Sequence, residues 1–284
     1  MIQRTALRLA PPPQETSLQD EIYSLLRDMS DPGLMNAGII PWSSPVPVFG
    51  DPAESIVATV GLNPSNREFV DQDGHELLDG ARRFHTLKSL QLHSWAHANR
   101  KDAEKVTQAC RSYFQTNPYD LWFKALDRLI QGTGASFYPS ARAACHLDLV
   151  PFATKEKWTS LSTFQRATLL RCSCNALPRL LSMSRIRMLL LNGATVVREV
   201  QNAFQMRLTV TTMPTWKLRR ESGEHIQGVA YTGVISSIAG LPLRRKITVL
   251  GYNHNIQSSF GVTRQVRTEI ARWVMDRTQG GENW

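Results

Sequence analysis

Four short apolar runs recur along the chain: SIVATVGL (55–62), AACHLDLVPF (143–152), IRMLLLNG (186–193) and KITVLGYNH (246–254). Each has the length of one strand, and its apolar residues follow one another with little alternation, the pattern of a strand covered on both faces. Most of the intervals between them carry helical periodicity and exceed the roughly dozen residues that a parallel crossover needs. The chain is therefore expected to be α/β, a three-layer α/β/α arrangement with a central four-stranded parallel sheet and an inserted β-hairpin.

Helices are expected over 17–29, capped by Ser17 and closed by Asp31-Pro32-Gly33, and over 87–99, 102–114, 118–132, 163–182, 195–206 and 263–277. Segment 39–50, IIPWSSPVPVFG, holds too much proline for a central strand and reads as an edge or a connecting arm. The hairpin falls between the third and fourth runs, at about 209–240, with Lys217, Arg219 and Arg220 near its turn. The expected organisation is an N-terminal tail and helix over 1–38, one domain over 39–278 and a tail over 279–284.

Lys and Arg outnumber Asp and Glu by 33 to 24, a formal charge of +9. That balance suits a polyanionic partner, nucleic acid first, although a basic surface also serves solubility alone. Cys110, Cys145, Cys172 and Cys174 lack paired CxxC spacing; free thiols are expected, with an iron–sulfur cluster left open. No Gly-Lys phosphate loop and no His/Glu helix pair occurs, so neither a cofactor nor a metal is expected. The N-terminal stretch has no long apolar core, and no run approaches a membrane span, so a cytoplasmic protein without membrane contact is expected. A monomer is expected, although no residue pattern reads out the oligomeric state.

The ends of the four runs are GLNPS, HLDLVPFAT, LLNGA and GYNHNIQSS. Ligands of open parallel sheets bind beyond the carboxyl ends of the strands. Three of these ends deliver a polar side chain where the apolar run stops: Asn63, Asp148 and His254. Each also has a plainer explanation. Asn63 would form an Asx turn, Asp148 would cap the segment near Thr154, and His254 would merely be hydrogen-bonded. Gly61 and Pro64 bracket Asn63 as if backbone and carboxamide together met a ligand.

In motif order over residues 40–275, the sequence resembles the uracil-DNA glycosylase superfamily. Gly61-Leu62-Asn63-Pro64-Ser65 is similar to its first motif, in the form that carries Asn. His254-Asn255-Ile256-Gln257-Ser258-Ser259 is similar to its second, Asp148 stands on the strand that reads the base edge, and Phe84 in ARRFHTL matches the aromatic that stacks on the flipped base. The resemblance implies a DNA glycosylase that extrudes its target nucleotide from double-stranded DNA. Asn63 would orient the attacking water and His254 would donate to the pyrimidine O2 as charge develops on the leaving base. Leu62, Phe84, Asp148 and Asn192 would bind the base. Ser65 and Ser259 would contact phosphates, Asn66 would also bind the DNA, Gln257 and Ser258 would occupy the wedge position, and Lys217, Arg219 and Arg220 would hold the DNA backbone.

Two residues depart from the uracil-excising pattern. Asn63 replaces a carboxylate that would accept a proton from water, and Asp148 replaces an Asn that would pair with uracil. A carboxylate only accepts, so it suits an exocyclic amine such as cytosine N4. Removing ordinary cytosine would destroy the host genome. The expected substrate is therefore a modified cytosine, such as a glucosylated hydroxymethylcytosine of phage DNA, excised in antiphage defence to leave an abasic site. Gly74, Gly80 and Ala81 would open room for the substituent, or are plain turn residues. The alternatives are a repair glycosylase for uracil or mismatched bases, and a non-catalytic DNA-binding module.

Overall fold

Ser17 and Asp20 form a reciprocal capping box at the start of helix α1 (Leu18–Asp28), which buries Leu18, Ile22, Leu25 and Leu26. Asp31 caps a short second helix, α2 (Pro32–Asn36), whose first residue is proline. The computed structural model describes residues 17–219, 223–238, 241–257 and 261–279. The remaining helices are α3 (Arg100–Arg111), α4 (Tyr113–Thr116), α5 (Asp120–Ile130), α6 (Thr163–Cys172), α7 (Ala176–Met183), α8 (Ala194–Phe204) and α9 (Arg264–Gln279).

The strands are β1 (Val48–Phe49), β2 (Ser55–Gly61), β3 (Ala143–Asp148), β4 (Met188–Asn192), β5 (Thr209–Arg219), β6 (His225–Ile238) and β7 (Leu241–Tyr252). They form one sheet in the order β1-β3-β2-β4-β7-β6-β5. The pairs β3–β2, β2–β4 and β4–β7 are parallel, and β1, β6 and β5 are joined antiparallel at the two sides. The protein is thus α/β, but its sheet has seven strands, not four. The hairpin expected as an insertion continues that sheet, because β6 pairs with β7 from Ala230↔Tyr252 to Val234↔Thr248. Alternation in the sequence announces a strand without naming its partner.

The proline-rich segment 39–50 supplies only the two-residue edge strand β1, consistent with proline's missing donor. Residues 87–99 are not helical apart from a 3₁₀ turn at Trp95–His97. The Thr86 N–H donates to Ser89 Oγ at 2.8 Å, the Ser89 N–H donates to Thr86 Oγ1 at 3.1 Å, and Gln91 takes φ +57°. Such local side-chain bonds offer the backbone an alternative to the helix. The expected helix over 163–182 is two helices, broken at 173–175.

Helix α8 packs on β4 and β7, α7 on β7, and α9 on β5 and α5. Trp216 is fully buried at the hairpin edge and meets Trp273 of α9 edge-on, with ring centroids 5.4 Å apart. Gly228 opposite makes room for it, since a β-carbon there would overlap Trp216 Cβ.

Candidate functional site

The parallel strands end in register. Gly61 of β2 lies beside Asp148 of β3, Val60 pairs with Leu191 of β4, and Asn192 of β4 pairs with Tyr252 of β7. Asn63 follows β2 by two residues and His254 follows β7 by two, so the fold brings Asp148, Asn63, Asn192 and His254 to one end of four adjacent strands.

Gly61 owes its identity to its neighbours. A β-carbon there would overlap Asp148 Oδ1 and stand 2.7 Å from His146 Nε2. The space on that side is filled by protein side chains, and this packing by itself accounts for the glycine.

His146 and Asp148 alternate on one face of β3, and both are buried. His146 Nε2 lies 3.4 Å from Asp148 Oδ1, and its Nδ1 is 2.7 Å from Thr59 Oγ1. With the ring proton on Nε2 facing the carboxylate, Nδ1 accepts from the Thr59 hydroxyl. Burial raises the Asp148 pKa, and the contact with His146 opposes that rise. Asp148 does not cap the segment near Thr154. The Thr154 hydroxyl instead accepts from Asn63 Nδ2 at 3.0 Å and donates to the Glu156 carbonyl at 2.7 Å.

A second buried carboxyl, which sequence reasoning missed, lies near Asp148. Glu68 accepts from the Tyr113 hydroxyl at 2.8 Å and stands 3.9 Å from Arg83 Nε. Desolvation pushes its pKa up to about 7, against the pull of Tyr113 and Arg83 and with a further rise from the Asp148 charge. Its position in the sequence, five residues after Asn63, gave no signal without the fold. His146 had one, since i and i+2 on a strand share a face.

Asn63 is half-buried, and its Nδ2 donates to Thr154 Oγ1, to the Pro64 carbonyl at 3.2 Å and to the Phe152 carbonyl at 3.4 Å. These donors fix the carboxamide and orient its oxygen. Leu62 is half-buried, and its carbonyl accepts from the Val150 N–H at 2.9 Å.

His254 is buried and donates Nε2–H to the Trp216 carbonyl at 2.6 Å. Burial lowers its pKa and the Trp216 contact opposes this, so the neutral ring presents an acceptor at Nδ1. The expected donation to a base oxygen is therefore not preformed.

Asn192 serves the loop after β7. Its Nδ2 donates to Asn255 Oδ1 at 3.2 Å and to Gln257 Oε1, and its Oδ1 accepts from the Ile256 N–H at 3.1 Å. Gln257 Nε2 donates to the Trp122 carbonyl at 3.1 Å. Both carboxamides expected at base and DNA thus tie the loop down.

Phe84 corrects another expectation. At 1% exposure it lies stacked on Tyr113 at 5.2 Å, with Phe49 at its edge and Phe69 tilted against it. No open face remains for a base. The ARRFHTL pattern marks an aromatic, and the surrounding Phe49, Phe69 and Tyr113 draw it into the core.

Ser65 is exposed and caps the 3₁₀ turn Asn66–Glu68 by accepting from the Arg67 N–H, while Asn66 Nδ2 donates to the Lys155 carbonyl at 3.4 Å. Lys217 and Arg219 are exposed on the edge strand β5. Arg220, Ser258 and Ser259 lie outside the described residues. Gly74 takes φ +85° and Gly80 sits in the turn Asp79–Ala81, with nothing within 4 Å of a β-carbon built on either.

Cys110 and Cys145 are free and buried, and burial pushes each thiol up to about 12. Among the described residues only Asp71, Asp73 and His75 bring three side chains able to hold a metal ion together. That group is exposed, and Asp71 Oδ1 caps its own turn by accepting from the N–H groups of Asp73 and His75. No described helix is long and apolar enough to cross a membrane. No family model matches the chain, and no curated protein matches it.

Proposed function

We propose that the protein is a cytoplasmic DNA glycosylase that flips a modified pyrimidine out of double-stranded DNA and hydrolyses its bond to the sugar. The substrate is a hypermodified cytosine of the glucosylated hydroxymethyl type, and the role is antiphage defence. The observation that carries this reading is the alignment of Asp148, Asn63 and His254 at one end of adjacent parallel strands. The uracil-DNA glycosylase-like core would comprise the four parallel strands as the centre of three layers, which the packing of α7 and α8 on β7 and β4 supports.

In this reading water attacks C1′ of the flipped nucleotide, the bond to the base breaks with its electron pair leaving on the base, and the proton that the water loses ends on the departed base. The oxygen of Asn63 orients the water, since its Nδ2 is held by Thr154. His254 donates to the departing base after exchanging its Trp216 contact for the base oxygen, so the loop after β7 moves when DNA binds. Asp148, at 2% exposure, accepts from the exocyclic amine once the site opens.

The raised pKa of Asp148 favours a second reading, repair of uracil. A protonated carboxyl there would donate to O4.

Duplexes carrying uracil, cytosine or glucosylated hydroxymethylcytosine, incubated with the protein and heated in alkali, separate these readings. Strand breaks at the modified cytosine alone support the first, and breaks at uracil support the second. Binding without breaks on any duplex leaves a non-catalytic DNA-binding module.

A further inference from the structure

The opposite end of the sheet holds a cluster of arginines. Arg142 directly precedes β3, Arg185 and Arg187 precede β4, and Arg245 lies on β7 before the stretch that pairs with β4. With Ile56 they line a cleft of about 330 Å³.

The backbone fixes this arrangement. The Arg187 N–H donates to the Ile56 carbonyl at 2.8 Å, and its own carbonyl accepts from the Thr248 N–H at 2.8 Å. The guanidinium of Arg245 donates to the Ile186 carbonyl at 2.6 Å, to Ser184 Oγ at 2.8 Å and to the Leu181 carbonyl at 3.1 Å.

Positive charge here is poorly neutralised. Among the described residues no carboxylate lies within 4.0 Å of Arg142, Arg187 or Arg245, and Arg185 reaches Glu54 only at 3.8 Å, with both side chains exposed. Burial chiefly, and then the charges of Arg187 and Arg244, lower the pKa of Arg245. A multiply charged anion would relieve the repulsion among these charges and match several guanidinium forks at once.

A second cleft, of about 420 Å³, shares Ile56 and Arg142 with the first and is walled by Val57, Gly132, Thr133 and Met275. A β-carbon on Gly132 would stand 3.1 Å from Met275 Cβ, so the glycine lets the loop after α5 lie close to α9.

We propose that this end of the sheet binds a small, multiply phosphorylated ligand. Its phosphoryl groups lie among Arg142, Arg185, Arg187 and Arg245, and its apolar part rests in the adjoining cleft over Ile56 and Met275. The site is separate from the one at Asn63. Strands β4 and β2, of five and seven residues, set the two ends roughly 17–23 Å apart at about 3.3 Å per residue. It also does not depend on the glycosylase reading.

Calorimetric titration of the full chain with ATP, with pyrophosphate and with a short unmodified duplex tests the proposal. ATP binds at one site, more tightly than pyrophosphate, and the Arg142→Gln/Arg187→Gln variant weakens it at least tenfold while its duplex affinity stays unchanged. Both residues are exposed, and the melting temperature checks folding; if the double variant melts early, Arg142→Gln alone is read. Absence of saturable ATP binding overturns the site, and equal affinity for ATP and pyrophosphate overturns the part assigned to the apolar cleft. Displacement of ATP by the duplex, with equal losses of both in the variant, overturns the small ligand and makes the cluster a DNA-backbone contact.

Discussion

His254 donates its Nε2–H to the carbonyl of Trp216 at 2.6 Å, joining the loop after β7 to the outermost strand of the sheet. Removing the ring leaves a buried carbonyl without that donor, at a cost of roughly 1–3 kcal/mol. His254→Ala should therefore lower the melting temperature and, if the ring also serves the leaving base, reduce excision by roughly 10²-fold. Because the folded pKa is depressed, the contribution of His254 is present above the unfolded value of about 6.5 and fades as pH falls below it. Denaturant midpoints at pH 5 and 8 should differ less in His254→Gln than in the native protein, and an unchanged difference would contradict the assignment.

Gly61→Ala places a methyl group on Asp148 Oδ1 and close to His146 Nε2. Both neighbours are buried and have little room to yield, so overpacking should cost roughly 1–3 kcal/mol. Urea unfolding measures this directly. A variant as stable as the native protein would mean that β2 shifts freely against β3.

Glu68 should imprint a pH dependence of the opposite sense to that of His254. Desolvation raises its folded pKa from 4.5 to about 7, so the folded state holds a proton that the unfolded state has released. Its stabilising contribution is complete below pH 4.5 and is lost as pH rises to about 7, a span worth about 3 kcal/mol. Glu68→Gln should remove this loss and gain on the native protein at pH 8. A native-minus-variant stability difference that stays flat from pH 4.5 to 8 would refute the buried proton.

The parallel strands were legible because their apolar runs are nearly continuous and the intervals between them suit crossover helices. What the sequence withheld was tertiary. The alternation in 225–238 marks a strand but not its pairing with β7, which turns an expected appendage into the continuation of the sheet. Phe84 has the chemistry of a stacking platform, yet Tyr113 and Phe49 reach it from distant segments and close its faces. Asn192 ends an apolar run like a ligand-binding residue, and only the fold shows its carboxamide spent on the loop after β7. The break of each run into polar residues did locate one end of the sheet, whereas the arginines at the other end are scattered over 142–245 and converge only in space.

Asp148→Asn separates the two enzymatic readings. The substituted oxygen can still accept from His146 Nε2, and a neutral amide escapes the burial cost of a carboxylate, so stability should hold or rise slightly. The charge of Asp148 also contributes to the raised pKa of Glu68, so the Glu68 transition should move to lower pH in the variant. If the carboxylate accepts from a cytosine amine, its replacement loses a charge-assisted bond worth about 1.5–3 kcal/mol, roughly tenfold to a hundredfold in preference. The amide in turn pairs with the O4 and N3–H of uracil. The ratio of excision rates on glucosylated hydroxymethylcytosine and uracil should fall by that factor. A stable variant whose Glu68 transition moves while the ratio stays fixed would place Asp148 in the buried polar cluster alone and remove the case for a cytosine substrate.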